Sequence, residues 1–542
     1  MRKIKNLISS SKNSFYNSLR LAIDDKDVEV LHFRIVDKVK KLLSDTSVDN
    51  SNVLSDISYI KTYSYHTNID RAARQILCIE SNLNKFPFIN KKLSNIIASF
   101  FILRNVKKLS KSLLSKKLED EISIKEKSKT KNFPKEKVDI VFVASMPSYL
   151  GMALSIAPLF NKKYLILTTS KAVRGVDKQL MNKKVLIVEE YFSENMINSF
   201  YRAQKNSKFY FRNSINDIEK TLNIGNTDYF KMYENVLSNI WEFVLPQSEL
   251  YYNLFTEALT SMNPDYVIGA RVRRLFERAS FAAAKAKNVK TGIVLHSTFG
   301  SVIDDYYLTG HFDLINDAFV WGKNHKDMIV LDKLSRNCNV HVVGSVNFTK
   351  EKKPYIQKKE DTKFRILYAA TSKGELNEIK SIVHATQKLS NTEIIIKTHP
   401  NVQENIYDRF SKFSHVKVVT EKRQIETMMS NIDLFISTYS GSHIYAAIQG
   451  VPILLLAFNS FVKNDLREIY GLSHAKYDTI VTIKRKKAIK IINDLVLNEN
   501  STLEIIMNQQ EKYINNFIYL QNRKKDVIND ISKILDLEKE TN

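Results

Sequence analysis

From residue 138 to residue 458, short apolar runs that close on small or polar residues alternate with helical stretches. "VDIVFVAS" (138–145), "KYLILTTS" (163–170), "KKVLIVEE" (183–190), "PDYVIGA" (264–270), "KTGIVLHS" (290–297), "DAFVWG" (317–322) and "VHVVGS" (340–345) form one series. Such runs read as strands buried on both faces, which is the habit of parallel sheets. Repeated βα units imply an α/β fold with a doubly wound sheet. A polar, strand-free stretch, 346–362, interrupts the pattern. A second series follows: "KFRILYAATSKGE" (363–375), "TEIIIKTHP" (392–400), "VKVVT" (416–420), "IDLFISTYSGS" (432–442) and "GVPILLLAF" (450–458). A chain of 542 residues is too long for one core. The expectation is therefore two Rossmann-like domains, 138–345 and 363–500, with 501–542 a C-terminal helix placed to cross back onto the first.

Residues 1–130 differ in texture, being strand-poor, helical in periodicity and basic. Ile4, Leu7, Ile8, Phe15, Leu19 and Ala22 fall on one helical stripe. The stretch 91–118 flanks a short apolar centre with lysines, a pattern suited either to a helix packed on its own domain or to one lying in a membrane interface. Through residue 137 there are 28 Lys and Arg against 15 Asp and Glu, a net +13 of the chain's +24. That bias favours anionic partners, while Lys-rich usage throughout accounts for part of the total. No basic motif interleaved with aromatics is present, so nucleic acid is not an expected partner. With two cysteines, Cys78 and Cys338, far apart and in no ligand spacing, neither a disulfide framework nor a zinc site is expected. The start lacks a signal-peptide core, so the expected location is cytoplasmic, peripheral on the inner face of the plasma membrane if the basic region docks there.

In an open parallel sheet, ligands bind beyond the carboxyl ends of the strands. Strand 392–396 delivers Lys397, Thr398 and His399 to that edge, and Pro400 stops it. "YAATSKGE" leaves its strand through Thr371, Ser372, Lys373 and Gly374. "ISTYSGS" does likewise through Ser437, Thr438, Ser440, Gly441 and Ser442, just before a helix. Hydroxyls, cations and free N–H groups at a helix start suit a phosphate. Each loop alone is as readily an ordinary cap or turn; three in one domain point to a ligand. No P-loop motif, GxGxxG, HExxH or GxSxG occurs, which disfavours P-loop NTPases, dinucleotide enzymes, zincins and α/β-hydrolases.

Taken in order, "ILYAATSKGE", "IIIKTHP", "IDLFISTYSGS" and "GVPILLL" resemble the GT-B superfamily of glycosyltransferases over roughly 138–460. The nearest resemblance is to bacterial capsule and lipopolysaccharide glycosyltransferases and to the CDP-glycerol glycerophosphotransferases of teichoic acid synthesis. It implies two Rossmann-like domains facing a cleft, preceded here by the helical N-terminal region. It makes His399 and Pro400 an HP pair on a donor phosphate, and Ser440, Gly441 and Ser442 the loop around the same group. "VLHSTFGS" sits where such enzymes carry a strand followed by HG, so His296 would face the cleft from the acceptor side. The chain departs from the pattern in three places. Ser297 replaces the glycine, Ser437 replaces an aspartate, and Tyr445 lies near the place of the acidic residue that many relatives use for a ribose.

The resemblance implies transfer without metal or other cofactor, with Lys397, His399, Lys373 and the 440–442 amides stabilising the leaving nucleotide. A base must take the acceptor proton. His296 is the first candidate, with Asp304 and Asp305, equally readable as a loop or helix cap, as alternatives and Glu189 and Glu190 behind them; Ser145, Ser148 and Gly151 either line the acceptor side or form a plain βα turn. The expected partners are a CMP-, CDP- or UDP-linked sugar and a glycan or lipid-linked acceptor, with an anionic membrane surface beside them. Three other functions fit the same motifs: a CDP-polyol phosphotransferase, a sugar-nucleotide epimerase, and a non-catalytic basic membrane adaptor.

Overall fold

The structure is a computed structural model. It describes residues 130–537 except 178–182, 214, 223–237, 239–241, 243–244, 273, 297–311, 331–336, 350–362, 372–374, 390, 400–405, 421–424, 439, 459–461, 464–465, 468–469 and 498. The helical reading of residues 1–129 therefore lies outside the described residues.

Both apolar series form parallel sheets, although the strand within "VHVVGS", Asn339–Val342 at the sheet's edge, is exposed or half-buried and not buried on both faces as expected. The first comprises β1 (Ile140–Ala144), β2 (Tyr164–Thr168), β3 (Val185–Ile187), β4 (Tyr266–Gly269), β5 (Lys290–Val294), β6 (Asp317–Val320) and β7 (Asn339–Val342), in the order β3-β2-β1-β4-β5-β6-β7. The second comprises β8 (Phe364–Ala369), β9 (Thr392–Lys397), β10 (Val416–Val419), β11 (Leu434–Ser437), β12 (Ile453–Leu456) and β13 (Val481–Thr482), in the order β10-β9-β8-β11-β12-β13. All pairings within both sheets are parallel. The fold class is thus the expected one, two Rossmann-like α/β domains. Each sheet reverses its winding beside its first strand, between β1 and β4 and between β8 and β11, which is where such sheets leave a crevice.

The central strands are buried along their whole length, as in "IVFVA" and "LFIS". Helices α1 (Pro147–Ile156), α2 (Leu245–Met262) and α3 (Leu275–Ala286) cover the first sheet; α4 (Leu376–Thr386) and α5 (Ser442–Ile448) belong to the second. Two further details differ from the sequence reading. The strand in "KKVLIVEE" stops at Ile187, because Val188–Tyr191 turns into a 3-10 helix. The strand β13 was not legible, since only Val481 and Thr482 pair, with Leu455 and Leu456.

The tail is two helices, not one. α6 (Asn500–Phe517) lies against α5, and its buried Gln510 accepts from the Ile453 N–H at 3.0 Å and donates to the carbonyls of Ala447 and Val451 at 3.2 and 3.1 Å. The chain then runs along the first domain, where the Tyr519 N–H donates to the Trp321 carbonyl at 2.7 Å. α7 (Lys524–Ile534) packs Val527, Ile528 and Ile531 into the core formed by Ile140, Phe142, Ile156 and Ile166. Full burial of each such side chain contributes about 1.5–3 kcal/mol.

Two glycines permit this crossing. A Cβ on Gly322 would lie 2.3 Å from the Phe517 carbonyl oxygen, and one on Gly344, whose φ is +89°, 2.3 Å from that of Tyr519. Because the obstacle at Gly322 is backbone, Gly322→Ala should cost about 1–3 kcal/mol of stability, read as a lowered urea midpoint; an unchanged midpoint would mean that the tail does not press on the first domain.

Candidate active site

The parallel register brings the polar strand ends of the second domain to one edge. Ala369 pairs with Lys397, and Tyr368 with both Ile396 and Ile436, so β9, β8 and β11 finish side by side. With neighbouring strands about 4.8 Å apart, the outer two of these ends lie within roughly 10 Å of each other. Lys397, Thr398, His399, Thr371, Ser437, Thr438, Ser440, Gly441 and Ser442 all belong to this edge.

Its centre is a carboxylate. Glu375, 8% exposed, sits just before α4 and accepts from the Thr371 N–H at 3.1 Å, from the Thr371 hydroxyl at 2.7 Å, and from the Thr438 hydroxyl. One side chain thus ties the end of β8 to the end of β11 across the switch point. Burial pushes its carboxyl up, against the pull of the hydroxyls of Thr438 and Thr371. Lys397 is buried, with its ammonium donating to the Thr398 carbonyl at 3.3 Å. His399 is half-buried, and desolvation followed by the Lys397 charge lowers its imidazole below the usual value.

The 440–442 loop is held from within and from behind. The Ser440 hydroxyl donates to that of Ser442 at 3.0 Å and accepts from the Ser442 N–H at 3.3 Å. Behind it, His443 Nδ1 donates to the Ser440 carbonyl at 2.6 Å, while Nε2 meets the Tyr513 hydroxyl at 2.9 Å. This pairing suits a neutral ring, and full burial lowers its pKa to about 4.

The first domain repeats the device. Glu277 on α3, wholly buried, accepts from the Ser145 N–H at 2.8 Å and from its hydroxyl at 3.0 Å, just past the end of β1. Glu189 does the same for Ser170 beyond β2, with the N–H at 2.9 Å and the hydroxyl at 2.9 Å. Burial pushes both carboxyls up. His296 lies beyond β5, edge-on to the Tyr149 ring of α1 at 5.6 Å. Burial and then the charge of Arg271, at the end of β4, lower its imidazole.

An aromatic seam joins the two edges. Asn347 donates to the His296 carbonyl at 3.3 Å, and the adjoining Phe348 ring packs 4.4 Å from Tyr445, one turn into α5. His296 is thereby linked to the helix that begins at Ser442. Two buried polar atoms, His296 Nδ1 and Ser437 Oγ, have no hydrogen-bond partner among the described residues.

Not every expected residue can be placed. Asp304, Asp305, Ser372, Lys373, Gly374, Pro400 and Ser297 lie outside the described residues. Ser437 is fully buried, and Thr438 is engaged by Glu375, so their hydroxyls do not stand open at the edge. Glu189 holds Ser170, and Glu190 pairs with Lys131 at 2.6 Å. Sequence reading passed over Glu277, Glu375 and Arg271. Glu375 had a signal, a carboxylate four residues after the strand-end Thr371; Arg271 had another, following directly on "YVIGA".

Two doubly wound parallel α/β domains, joined by an aromatic seam, thus carry the polar strand ends. Among solved structures the chain is similar to UDP-GlcNAc 2-epimerase from Neisseria meningitidis, solved bound to UDP-GlcNAc, at 14% identity over 74% of this chain and 99% of that one, with a TM-score of 0.44. It is also similar to the wall teichoic acid polymerase TagF, at 10% identity over 81% and 97% of the two chains, TM-score 0.42. A third similarity is to HepE of Anabaena, solved with UDP and glucose, at 10% identity over 74% and 99%, TM-score 0.42. No protein-family model and no curated protein matches the chain.

The neutral His443 makes a pH prediction. Its folded pKa of about 4 lies below the unfolded value of about 6.5. Stability from this ring is therefore present above pH 6.5 and falls with pH down to about 4, by up to about 1.4 kcal/mol per unit. Urea unfolding of wild type and His443→Gln across that window should show the shallower fall in the variant; parallel curves would contradict it. The comparison isolates this ring from the three buried glutamates, whose raised carboxyls act with the opposite sign.

Proposed function

We infer that the protein is a glycosyltransferase that moves a sugar from a nucleotide-activated donor to a glycan or lipid-linked acceptor. The observation that carries this reading is the gathering of Lys397, His399 and the Ser440–Ser442 loop at the carboxyl ends of β9 and β11, on either side of β8. A leaving nucleotide develops negative charge on its phosphates. Fixed cations and N–H groups aimed at that charge lower the barrier without having to reorganise. The lysine ammonium and the serine hydroxyls and amides serve as donors, and His399 donates from whichever ring nitrogen carries its proton.

His296 acts as the base on the acceptor side. Its lowered pKa keeps the ring neutral near pH 7, so a nitrogen is free to accept the acceptor proton. The linkage through Asn347, Phe348 and Tyr445 supports its approach to the donor edge. A CDP-polyol phosphotransferase would use the same cationic edge, because its leaving group is also a nucleotide. Donor supply in separate radiolabelled CMP-sugar, UDP-sugar and CDP-glycerol pools distinguishes the two; conversion of donor with no acceptor present would indicate an epimerase instead.

Two outcomes test the assignment. His399→Ala should abolish transfer, a loss of about a hundredfold or more if one donor to the developing charge is removed, and leave the thermal midpoint nearly unchanged because the ring is only half-buried. Full turnover by that variant would remove His399 from the donor site, and absence of transfer by the wild type with every donor would favour a non-catalytic adaptor. Separately, kcat against pH should show an acid limb below 6.5 that disappears in His296→Ala along with most of the rate; an acid limb that survives the substitution would remove His296 from this role.

A further inference from the structure

The amino edge of the first sheet, opposite the edge just described, carries a cavity of about 1100 Å³. Lys162, Lys163, Lys184 and Lys525 line it, together with Asp139 and Ser532. Lys162 and Lys163 precede β2, Lys184 precedes β3, Asp139 precedes β1, and Lys525 and Ser532 come from α7. Elements far apart in sequence thus bring four lysines to the lining of one space. The single acid does not balance them: Asp139 accepts from the Lys163 N–H at 2.8 Å, and Glu136 outside the lining pairs with the Lys163 ammonium at 2.8 Å. Lys184 lies 4.0 Å over the Tyr164 ring. Among the described residues no ion pair forms to Lys162 or Lys525.

Like charges gathered in a cleft repel one another and focus a positive potential into it, and a bound anion relieves both effects. The chain's most basic segment also reaches the fold here, since residues 1–137, at net +13, lead through Val138 and Asp139 directly into β1. We propose that this cleft binds a phosphate-bearing anion, a phosphomonoester or phosphodiester, at a site separate from the donor edge. Ammonium groups on flexible stems suit a compact tetrahedral anion, and the Ser532 hydroxyl adds a neutral donor. Five residues of β1, at about 3.3 Å each, set the cleft roughly 16 Å from the carboxyl edge, so the bound anion takes no part in transfer there. It holds the crossing helix and the first domain together, and it holds the protein to whatever carries the phosphate.

Lysine acylation followed by mass spectrometry on the full chain tests the site. Inorganic pyrophosphate at ten times its half-effect concentration should slow labelling of Lys162 and Lys525 about tenfold and leave Lys323, whose side chain is 79% exposed, unchanged. The readout is resolved by residue, so pyrophosphate at the donor edge does not mimic it, and failure here leaves the transferase reading intact. The variant Lys162→Glu with Lys525→Glu, altered outside both cores, should lose protection of Lys184. Loss of its sedimentation with phosphatidylglycerol vesicles, but not with phosphatidylcholine alone, would make a lipid headgroup the source of the phosphate; retained sedimentation with lost protection would make it a soluble phosphate compound. Equal labelling with and without pyrophosphate, or undiminished protection of Lys184 in the variant, overturns the proposal.

Discussion

Three carboxylates buried at strand ends hold the working edges in shape. Where a parallel strand stops, its ladder stops too, and the next N–H and any hydroxyl there need partners or become a cost. Glu277, Glu189 and Glu375 each accept an N–H together with the hydroxyl of the same residue, Ser145, Ser170 and Thr371 respectively. Burying a carboxyl group is expensive in isolation, so these side chains are stable only in that bonded geometry. The loops that leave the sheets are fixed by the same bonds. At Glu375 the effect extends across the crevice, because Thr438 from β11 shares the carboxylate.

The rest of the site depends on that frame. With the ends of β8 and β11 tied together, Lys397 and His399 at the end of the neighbouring β9 share an edge with a loop whose position is set by His443 and Tyr513 from behind. Tyr513 belongs to α6, and the same helix continues into the contacts at Gly322 and Gly344. Ring contacts carry the connection onward: Phe517 packs with His325 at 5.1 Å, His325 with Trp321 at 5.4 Å, and Trp321 with Phe348 at 5.1 Å. The carboxyl edges of the two sheets and the tail therefore share one packed body with an apolar middle.

Much of the fold was legible because burial on both faces leaves a plain mark, a run such as "IIIK" or "VFVA" with no alternation. Two sheets follow from counting such runs, and the parallel rule then places Thr371, Lys397, His399 and the 440–442 loop on one edge. The rule fixes an edge, though, and not the direction of a side chain. Ser437 reads as an open hydroxyl yet is fully buried. The bond between Ser145 and Glu277 spans 132 residues, and no local pattern announces it. The break between α6 and α7 was missed for a related reason. Residues 518–523 leave the helix at Ile518 and pass close to Gly322 and Gly344 of the other domain, a contact that no local pattern announces.

The helix α7 also orders events in time. Val527, Ile528, Ile531 and Leu535 complete a core whose other walls are Ile140, Phe142 and Ile166. On the ribosome the earliest sheet is translated hundreds of residues before its own covering, and domains that emerge early fold while synthesis continues. One apolar flank of that sheet must therefore wait, shielded by a chaperone or left wet, until the second domain has been made. A product cut short before residue 527 keeps every strand and lacks this seal, so quality control would read it through the bare flank.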